Sequence, residues 1–317
     1  MEIAATDYHT AGEPFRIVEA VDVPGATVRE RRENAAASEE VDRVRRLLCH
    51  EPRGHTDMYG CFLVPPDDGG ADLGALFWHK DGYSTACGHG TIALGAWAVE
   101  SGRVEAPEDG ERDVTIDVPS GRVVATVRRR AGEVESVAFR NVPAYVIGRG
   151  VEAAGVQVDL AWGGAIYAFA PAASFGLRVV PEDLPALIAA GREVKGALEG
   201  TPYARHEADE RLSGIYGTVL HEEVGPLHHR NVAIFADGEV DRSPTGSATS
   251  ARAALLALPE GQTWRNDSIA GTTFHARATG ATPDGLLTEV EGTAFRTGEH
   301  RFVLDPRDPL GTGFVLR

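Results

Sequence analysis

The chain has 317 residues, of which 43% are hydrophobic and 25% are charged, and its formal net charge is −16. This composition predicts a globular protein with one large domain or two of ordinary size, and the negative charge excludes nucleic acids and anionic membranes as partners, because both would be repelled. Three cysteines do not make a disulfide framework and the N-terminus has no signal-peptide pattern, so we expect a reduced, cytoplasmic protein.

The first half of the chain is predicted to contain mostly strands. Alternating patterns predict strands at 3–9, 15–23, 61–64 and 73–79, and the charged segment 29–50 predicts one helix or two shorter ones. An antiparallel meander is predicted at 113–118, 122–129 and 134–141, because glycine-containing turns separate these runs. We expect the crossover to the second half at 141–150.

The segment 84–90 is predicted to form a tight loop that leads directly into an apolar helix. Cys87 lies at the mouth of this helix, where the N–H groups of Gly88, His89 and Gly90 have no helical acceptor. These donors and the positive end of the helix dipole predict a binding site for an anion. The same field favours a thiolate over a thiol, so Cys87 is a candidate base beside a carboxylate site.

A second copy of this arrangement occurs at 241–250, where Thr245 takes the place of the cysteine and is followed by Gly246 and Ser247. The spacing between the copies is about half the chain, which predicts two similar domains that each present a helix N-terminus to a shared cleft. Asp241 opens the second loop. It is either a helix cap or ion-pair partner of its neighbour, or a carboxylate that holds a substrate ammonium group.

The second half is also predicted to be rich in strands. They are expected at 164–170, 215–221, 231–236, 272–278, 286–290 and 301–304, with helices at 181–198 and from Thr245 to Pro259. Many strands and few helices, without strict alternation, predict an α+β fold. We predict a first domain at 1–145, joined by the C-terminal strands 295–317, and a second domain at 146–294.

Other motifs give no indication of a metal or a cofactor. Cys49, His50, His55, Cys61 and the pair His228–His229 are candidate ligands by residue type alone, because their spacing matches no zinc pattern. The sequence has no G-x-G-x-x-G after a strand, no Walker A motif and no G-x-S-x-G. We therefore expect neither a nucleotide cofactor nor a hydrolase of the nucleophile-elbow type.

Four ordered segments resemble the proline racemase family: DYHTAGEP at 7–14, RGHTDMYG at 53–60, CGHG at 87–90 and DRSP at 241–244. The family includes proline racemase, 4-hydroxyproline 2-epimerase and trans-3-hydroxy-L-proline dehydratase, and the likeness runs nearly end to end. It implies a diaminopimelate-epimerase-like fold. In that fold two pseudo-symmetric halves each wrap a central helix, and the active site lies in the cleft between them.

In racemases and epimerases of this family each loop supplies a cysteine, whereas Thr245 stands at the second position here. An alkyl hydroxyl ionises far too weakly to replace a thiol, so two-base inversion is disabled. The Cys–Thr pair resembles the trans-3-hydroxy-L-proline dehydratase branch. The implied activity is that of a cofactor-independent hydro-lyase: the Cys87 thiolate takes the α-proton, Cys87 or Thr245 assists the departing hydroxyl, and Δ1-pyrroline-2-carboxylate forms.

The resemblance also implies how a small imino acid would bind. Its carboxylate would accept hydrogen bonds from the N–H groups of Gly88, His89, Gly246 and Ser247, and its ring ammonium would pair with Asp241. No metal is required, and a homodimer is compatible with the sequence. Two alternatives stay open: a 4-hydroxyproline epimerase or proline racemase, and, in a different class, a non-catalytic protein that binds an imino acid.

Overall fold

The structure, a computed structural model, describes residues 1–19 and 21–316. It divides into two compact units, Met1–Val137 with Thr293–Arg317, and Ala138–Gly292. Strands predominate and the helices are few, so the predicted α+β class is confirmed. Within the described residues, no helix is both long enough and apolar enough to span a bilayer.

The helices and strands follow in chain order. As far as the unit boundary they are β1 (Glu2–Thr10), β2 (Glu13–Val18), α1 (Val28–Ala37), α2 (Glu39–Cys49), β3 (Gly60–Val64), β4 (Leu73–His79), β5 (Gly82–Tyr83), α3 (Gly88–Glu100), β6 (Gly110–Val118), β7 (Gly121–Arg130) and β8 (Glu133–Arg140). They continue with β9 (Tyr145–Ala153), β10 (Val156–Trp162), β11 (Ile166–Pro171), α4 (Leu184–Leu198), β12 (Ile215–Gly225), β13 (His228–Phe235), β14 (Glu239–Asp241), α5 (Gly246–Leu255), β15 (Thr263–Ser268), β16 (Thr273–Thr282), β17 (Gly285–Gly292) and β18 (Ala294–Val303).

The first unit surrounds α3 with strands. β1 pairs antiparallel with β2, β2 parallel with β3, β3 antiparallel with β4, and β4 antiparallel with β5 and parallel with β6. The helix is buried from Gly88 to Val99, as expected for a helix that is apolar on all sides. A Cβ atom at Gly95 would lie 2.6 Å from Cβ of Ala125, so this glycine lets α3 pack closely against β7.

The second unit repeats this connectivity around α5. β10 pairs antiparallel with β11, β11 parallel with β12, β12 antiparallel with β13, and β13 antiparallel with β14 and parallel with β15. A Cβ atom at Gly163 would lie 2.3 Å from the carbonyl oxygen of Ser247, so the loop after β10 packs directly on the first turn of α5. The predicted repeat of two similar halves, each with a central helix, is therefore confirmed.

Of the two alternatives predicted for the segment 29–50, the structure has the pair of shorter helices, because Ser38 ends α1 and caps α2 through its side chain. Several other predicted elements need correction. The strand predicted at 15–23 ends at Val18. The segment 141–150, where the crossover to the second half was expected, contains the start of β9 at Tyr145, and the second compact unit begins at Ala138. β9, β10 and β15 were not predicted. β9 contains two glycines and is mostly exposed or partly exposed, and β15 has polar residues at buried positions, so neither has a clear apolar alternation. The last helix ends at Leu255 rather than at Pro259.

Candidate active site

Cys87 is the N-cap residue of α3, and its Sγ atom accepts a hydrogen bond from the Gly90 backbone N–H at 3.1 Å. The side chain is buried, with 4% of its surface exposed. A Cβ atom at Gly90 would lie 2.7 Å from this sulfur and 2.4 Å from the ring of Phe15. The glycine therefore permits the contact, and the donated hydrogen bond and the helix N-terminus both stabilise a thiolate.

The His89 ring lies against the same sulfur atom, with Nδ1 at 3.4 Å from Sγ. The ring is buried and meets the rings of Phe15 and Tyr59 edge-on, with centroids 5.7 Å and 4.9 Å away. Thr10 donates a hydrogen bond to the His89 carbonyl oxygen at 2.9 Å. The imidazole thus has a fixed orientation beside the candidate base, set by residues that precede it by tens of positions in the chain.

The two remaining cysteines are buried and neither caps a helix N-terminus: Cys49 is the last residue of α2, and Cys61 lies in β3. Burial raises the pKa of the Cys61 thiol well above its ordinary value, which keeps it protonated. Cys49 donates a hydrogen bond to the carbonyl oxygen of Met58 at 3.3 Å. Among the histidines that the sequence offered as metal ligands, His228 is hydrogen-bonded to Asp267 at 2.8 Å. The described environment of each of these residues is that of a structural side chain.

The second loop begins at Asp241, the last residue of β14, whose carboxylate is buried. Its Oδ1 atom accepts a hydrogen bond from the Ser243 backbone N–H at 2.7 Å, and the Ser243 hydroxyl accepts one from the Thr245 N–H at 3.0 Å. These bonds fold the loop tightly before α5 starts. Asp241 therefore shapes the loop, and it lies four residues before the position that corresponds to Cys87.

Thr245 adopts a backbone conformation that few β-branched residues take, with φ of 62° and ψ of 94°. A capping threonine has extended backbone angles, and Thr245 accordingly makes no side-chain cap. Its Oγ1 atom is buried and has no hydrogen-bond partner among the described residues. Strain of this kind persists only where the surroundings impose it, and it is concentrated at functional sites.

Ser247 lies in the first turn of α5, and its hydroxyl shares a hydrogen bond with the hydroxyl of Tyr167 at 2.7 Å. Both side chains are buried, and Tyr167 comes from β11. The side chain of Ser247 is thus engaged within the fold, and only its backbone N–H faces the helix mouth, like that of Gly246. No sequence signal pointed to Tyr167, because its contact with Ser247 spans 80 residues.

The structure brings the predicted residues together in two groups. Cys87, Gly88 and His89 lie at the N-terminus of α3 in the first unit. In the second unit, Thr245, Gly246 and Ser247 lie at the N-terminus of α5, and Asp241 opens the loop before them. Each group contains first-turn N–H groups without a helical acceptor, and only the first group contains a sulfur atom.

A family model described as proline racemase matches residues 5–315. A protein from Bacillus cereus named trans-3-hydroxy-L-proline dehydratase is 41% identical, with 98% of this chain and 97% of that protein covered. A protein from Xenopus tropicalis named trans-L-3-hydroxyproline dehydratase is 38% identical, and the match covers 99% of this chain and 95% of that one.

Among solved structures, a hydroxyproline epimerase from Agrobacterium vitis with bound trans-4-hydroxy-L-proline superposes with a TM-score of 0.92. It is 28% identical in sequence, and the superposition covers 99% of this chain and 96% of that one. This agreement covers both units, so the described architecture is shared with an enzyme that holds a hydroxylated imino acid.

Proposed function

Because the chain belongs to the proline racemase family, we propose that it dehydrates trans-3-hydroxy-L-proline to Δ1-pyrroline-2-carboxylate by means of its own side chains. One observation carries the proposal. A cysteine sulfur is hydrogen-bonded at the mouth of α3, whereas the corresponding position of α5 holds a threonine. The relatives that are 41% and 38% identical carry the name of this dehydratase.

In this proposal the N-termini of α3 and α5 bind one substrate. The substrate carboxylate accepts hydrogen bonds from the first-turn N–H groups of both helices, at Gly88 and His89 and at Gly246 and Ser247. Their dipoles stabilise the charge that spreads onto the carboxylate when the α-proton leaves. Asp241 pairs with the ring ammonium group. The positive charge of that ammonium group makes the α-carbon more acidic. The buried carboxylate at the end of β14 supports this assignment.

The trans geometry of the substrate determines which group assists the leaving hydroxyl. The hydroxyl and the carboxylate lie on opposite ring faces, so the α-hydrogen and the hydroxyl lie on the same face. Cys87 removes the α-proton as its S–H bond forms, and the C–H electron pair is delocalised onto the carboxylate. In a second step this pair forms the new C=C bond while the C–O bond breaks. The same thiol then gives its proton to the departing hydroxyl, which leaves as water. Cys87 is again a thiolate, and the enamine tautomerises to the cyclic imine.

The sequence left Thr245 as the alternative proton donor to the leaving hydroxyl. In this scheme Cys87 is that donor, and Thr245 has a different role. In this proposal the two loops act on opposite faces of the substrate ring. Since Cys87 is on the face that carries the substrate hydroxyl, Thr245 is on the other face. An alkyl hydroxyl does not act as a base near neutral pH, so protonation from that face, and hence inversion, does not occur. Its buried hydroxyl, which has no partner in the described chain, donates a hydrogen bond to the bound substrate instead.

The test is an incubation with trans-3-hydroxy-L-proline in deuterated water, followed by NMR. We expect loss of the substrate, appearance of the cyclic imine and no inverted isomer. A Cys87→Ala variant should form no imine under the same conditions. Inversion of proline or 4-hydroxyproline, without imine formation, would instead identify an epimerase or a racemase. Binding without deuterium exchange at the α-carbon would identify a non-catalytic binding protein.

A further inference from the structure

The carbonyl oxygen of Pro244, which immediately precedes Thr245, accepts hydrogen bonds from side chains on different elements. Asn231 on β13 donates at 3.1 Å, Asn266 on β15 at 3.2 Å, and Thr249 on α5 at 3.0 Å. The Asn266 amide also donates to the Thr249 hydroxyl at 2.9 Å. We call Asn231, Asn266 and Thr249 the carbonyl clamp.

This clamp fixes one peptide plane. The carbonyl of Pro244 and the N–H of Thr245 belong to the same planar unit, and the N–H is held at the other edge by the Ser243 hydroxyl at 3.0 Å. Since β13 and β15 pair in parallel, the two asparagines are anchored in one sheet. With both edges of the plane held, the loop cannot relax by rotating this peptide. The next peptide is held as well, because the Thr249 N–H donates to the Thr245 carbonyl oxygen at 2.8 Å, so Thr245 keeps its positive φ.

Two features indicate that the clamp serves more than stability. The Oδ1 atoms of Asn231 and Asn266 are buried and have no hydrogen-bond partner among the described residues. A buried polar atom without a partner destabilises the folded state. In addition, the conformation that the clamp maintains is itself unfavourable for a β-branched residue. An apolar cluster would stabilise this region without either cost.

We propose that Asn231, Asn266 and Thr249 are positioning residues, which hold the Pro244–Thr245 peptide so that the Thr245 hydroxyl points at the substrate rather than capping α5. This inference rests on the proposed function, because it assigns the oriented hydroxyl to the bound imino acid. Its structural half, that the clamp maintains the left-handed backbone of Thr245, is independent of any activity.

The experiment compares Thr249→Val, which removes the clamp hydroxyl at nearly constant volume, with Thr249→Ser, which retains it. We expect Thr249→Val to lower kcat about tenfold with little change in KM, and Thr249→Ser to restore most of the rate. Thr288→Val is the matched control, because it also removes a buried hydroxyl bonded to α5, at Ser250, but does not touch the loop. It should leave kcat unchanged.

A double-mutant cycle separates positioning from general destabilisation. In a Thr245→Val background the clamp has no hydroxyl left to orient, so adding Thr249→Val should cause no further loss of kcat. If the loss of kcat in the double variant equals the product of the losses in the two single variants, the inference is overturned. Asn231→Leu provides a second variant: we expect kcat to fall while the melting temperature is maintained, and a fall of both together would mean a structural role only.

Crystal structures make the outcome independent of the proposed reaction. In Thr249→Val we expect Thr245 to leave the left-handed region and its hydroxyl to cap α5. An unchanged φ of about 62° would overturn the inference even if the enzyme is a dehydratase. If the wild-type protein forms no cyclic imine but φ of Thr245 changes as expected in Thr249→Val, the proposed function is wrong, whereas the structural role of the clamp is confirmed.

Discussion

The Sγ atom of Cys87 lies 3.1 Å from the backbone nitrogen of Gly90, and this contact is possible because residue 90 has no side chain. The corresponding residue of the second loop is Ala248, where the loop has no such contact to accommodate. Thr245 turns into the left-handed region and leaves its helix uncapped. The two loops therefore have corresponding positions in the two units but differ in the backbone geometry of the residue that precedes the helix.

Gly90→Ala should damage both stability and activity. Its Cβ atom would lie 2.7 Å from Sγ of Cys87, so the sulfur or the helix start has to move. We expect a loss of about 1–3 kcal/mol in the free energy of unfolding, measured in urea, and a large fall in kcat. Gly196→Ala in α4 is the control, because nothing lies within 4 Å of its Cβ position. It should stabilise the protein by about 0.5–1 kcal/mol, and unchanged activity in both variants would contradict the close contact.

Cys87→Ser should abolish most of the dehydration. The hydroxyl fits the space of the thiol, but it is a far weaker base at neutral pH. We expect kcat to fall by about 10²–10⁴-fold, with the binding of the substrate carboxylate retained, because the backbone donors of α3 are unchanged. Initial rates of imine formation give kcat, and calorimetry with the substrate gives affinity. A variant with the wild-type rate would rule out Cys87 as the base.

Thr245→Cys should place a thiol in each loop and permit some inversion at the α-carbon. A thiol can return a proton to the second ring face, which a threonine hydroxyl cannot do at neutral pH. Chiral chromatography after incubation with trans-4-hydroxy-L-proline measures the inverted product. Thr245→Ser, which keeps a hydroxyl, should yield none. If Thr245→Cys also yields none, other residues of the pocket separate dehydratases from epimerases.

The sequence was sufficient to predict the residues that are defined by local pattern. Cys87 and Thr245 were found because each precedes a glycine at the start of an apolar helix, and their half-chain spacing predicted the internal repeat. The structure places both at the expected helix N-termini. Features that depend on residues close together in the chain can be predicted from a single sequence.

Contacts between distant segments could not be predicted in this way. Phe15 and Tyr59 hold the His89 ring from residues 74 and 30 positions earlier, and Asn266 reaches Pro244 from 22 positions later. The left-handed backbone of Thr245 was not foreseen either, because threonine strongly disfavours it. It results from the clamp, which forms only once β13 and β15 are paired.

Acid should destabilise the protein through His221. Burial, followed by the charges of Arg252 and His229, lowers the pKa of His221 from an ordinary 6.5 to about 3, and burial lowers that of His229 as well. The folded state therefore keeps His221 neutral where the unfolded chain binds a proton. Its contribution is fully present above a pH of about 6.5 and is lost as the pH falls toward about 3.

The measurement is urea unfolding at pH values of about 7 and about 4. We expect the wild-type protein to lose on the order of 3 kcal/mol more than a His221→Gln variant between these values. The comparison removes the contribution of carboxylates that titrate in both proteins. Equal losses in the two proteins would mean that His221 is protonated in the folded state.

The stereochemistry of the substrate provides the sharpest test of the role given to Cys87. In cis-3-hydroxy-L-proline the α-hydrogen still faces Cys87, but the hydroxyl lies on the opposite face, beyond the reach of the protonated thiol. We therefore expect deuterium to enter the α-carbon at a rate near that for the trans isomer, while kcat/KM for dehydration falls by about 100-fold or more. NMR in deuterated water follows both processes in one sample. Equal dehydration of the two isomers would show that Cys87 is not the donor to the leaving hydroxyl, and faster dehydration of the cis isomer would assign that proton to the Thr245 side. Loss of exchange together with dehydration would show that the cis isomer does not bind productively.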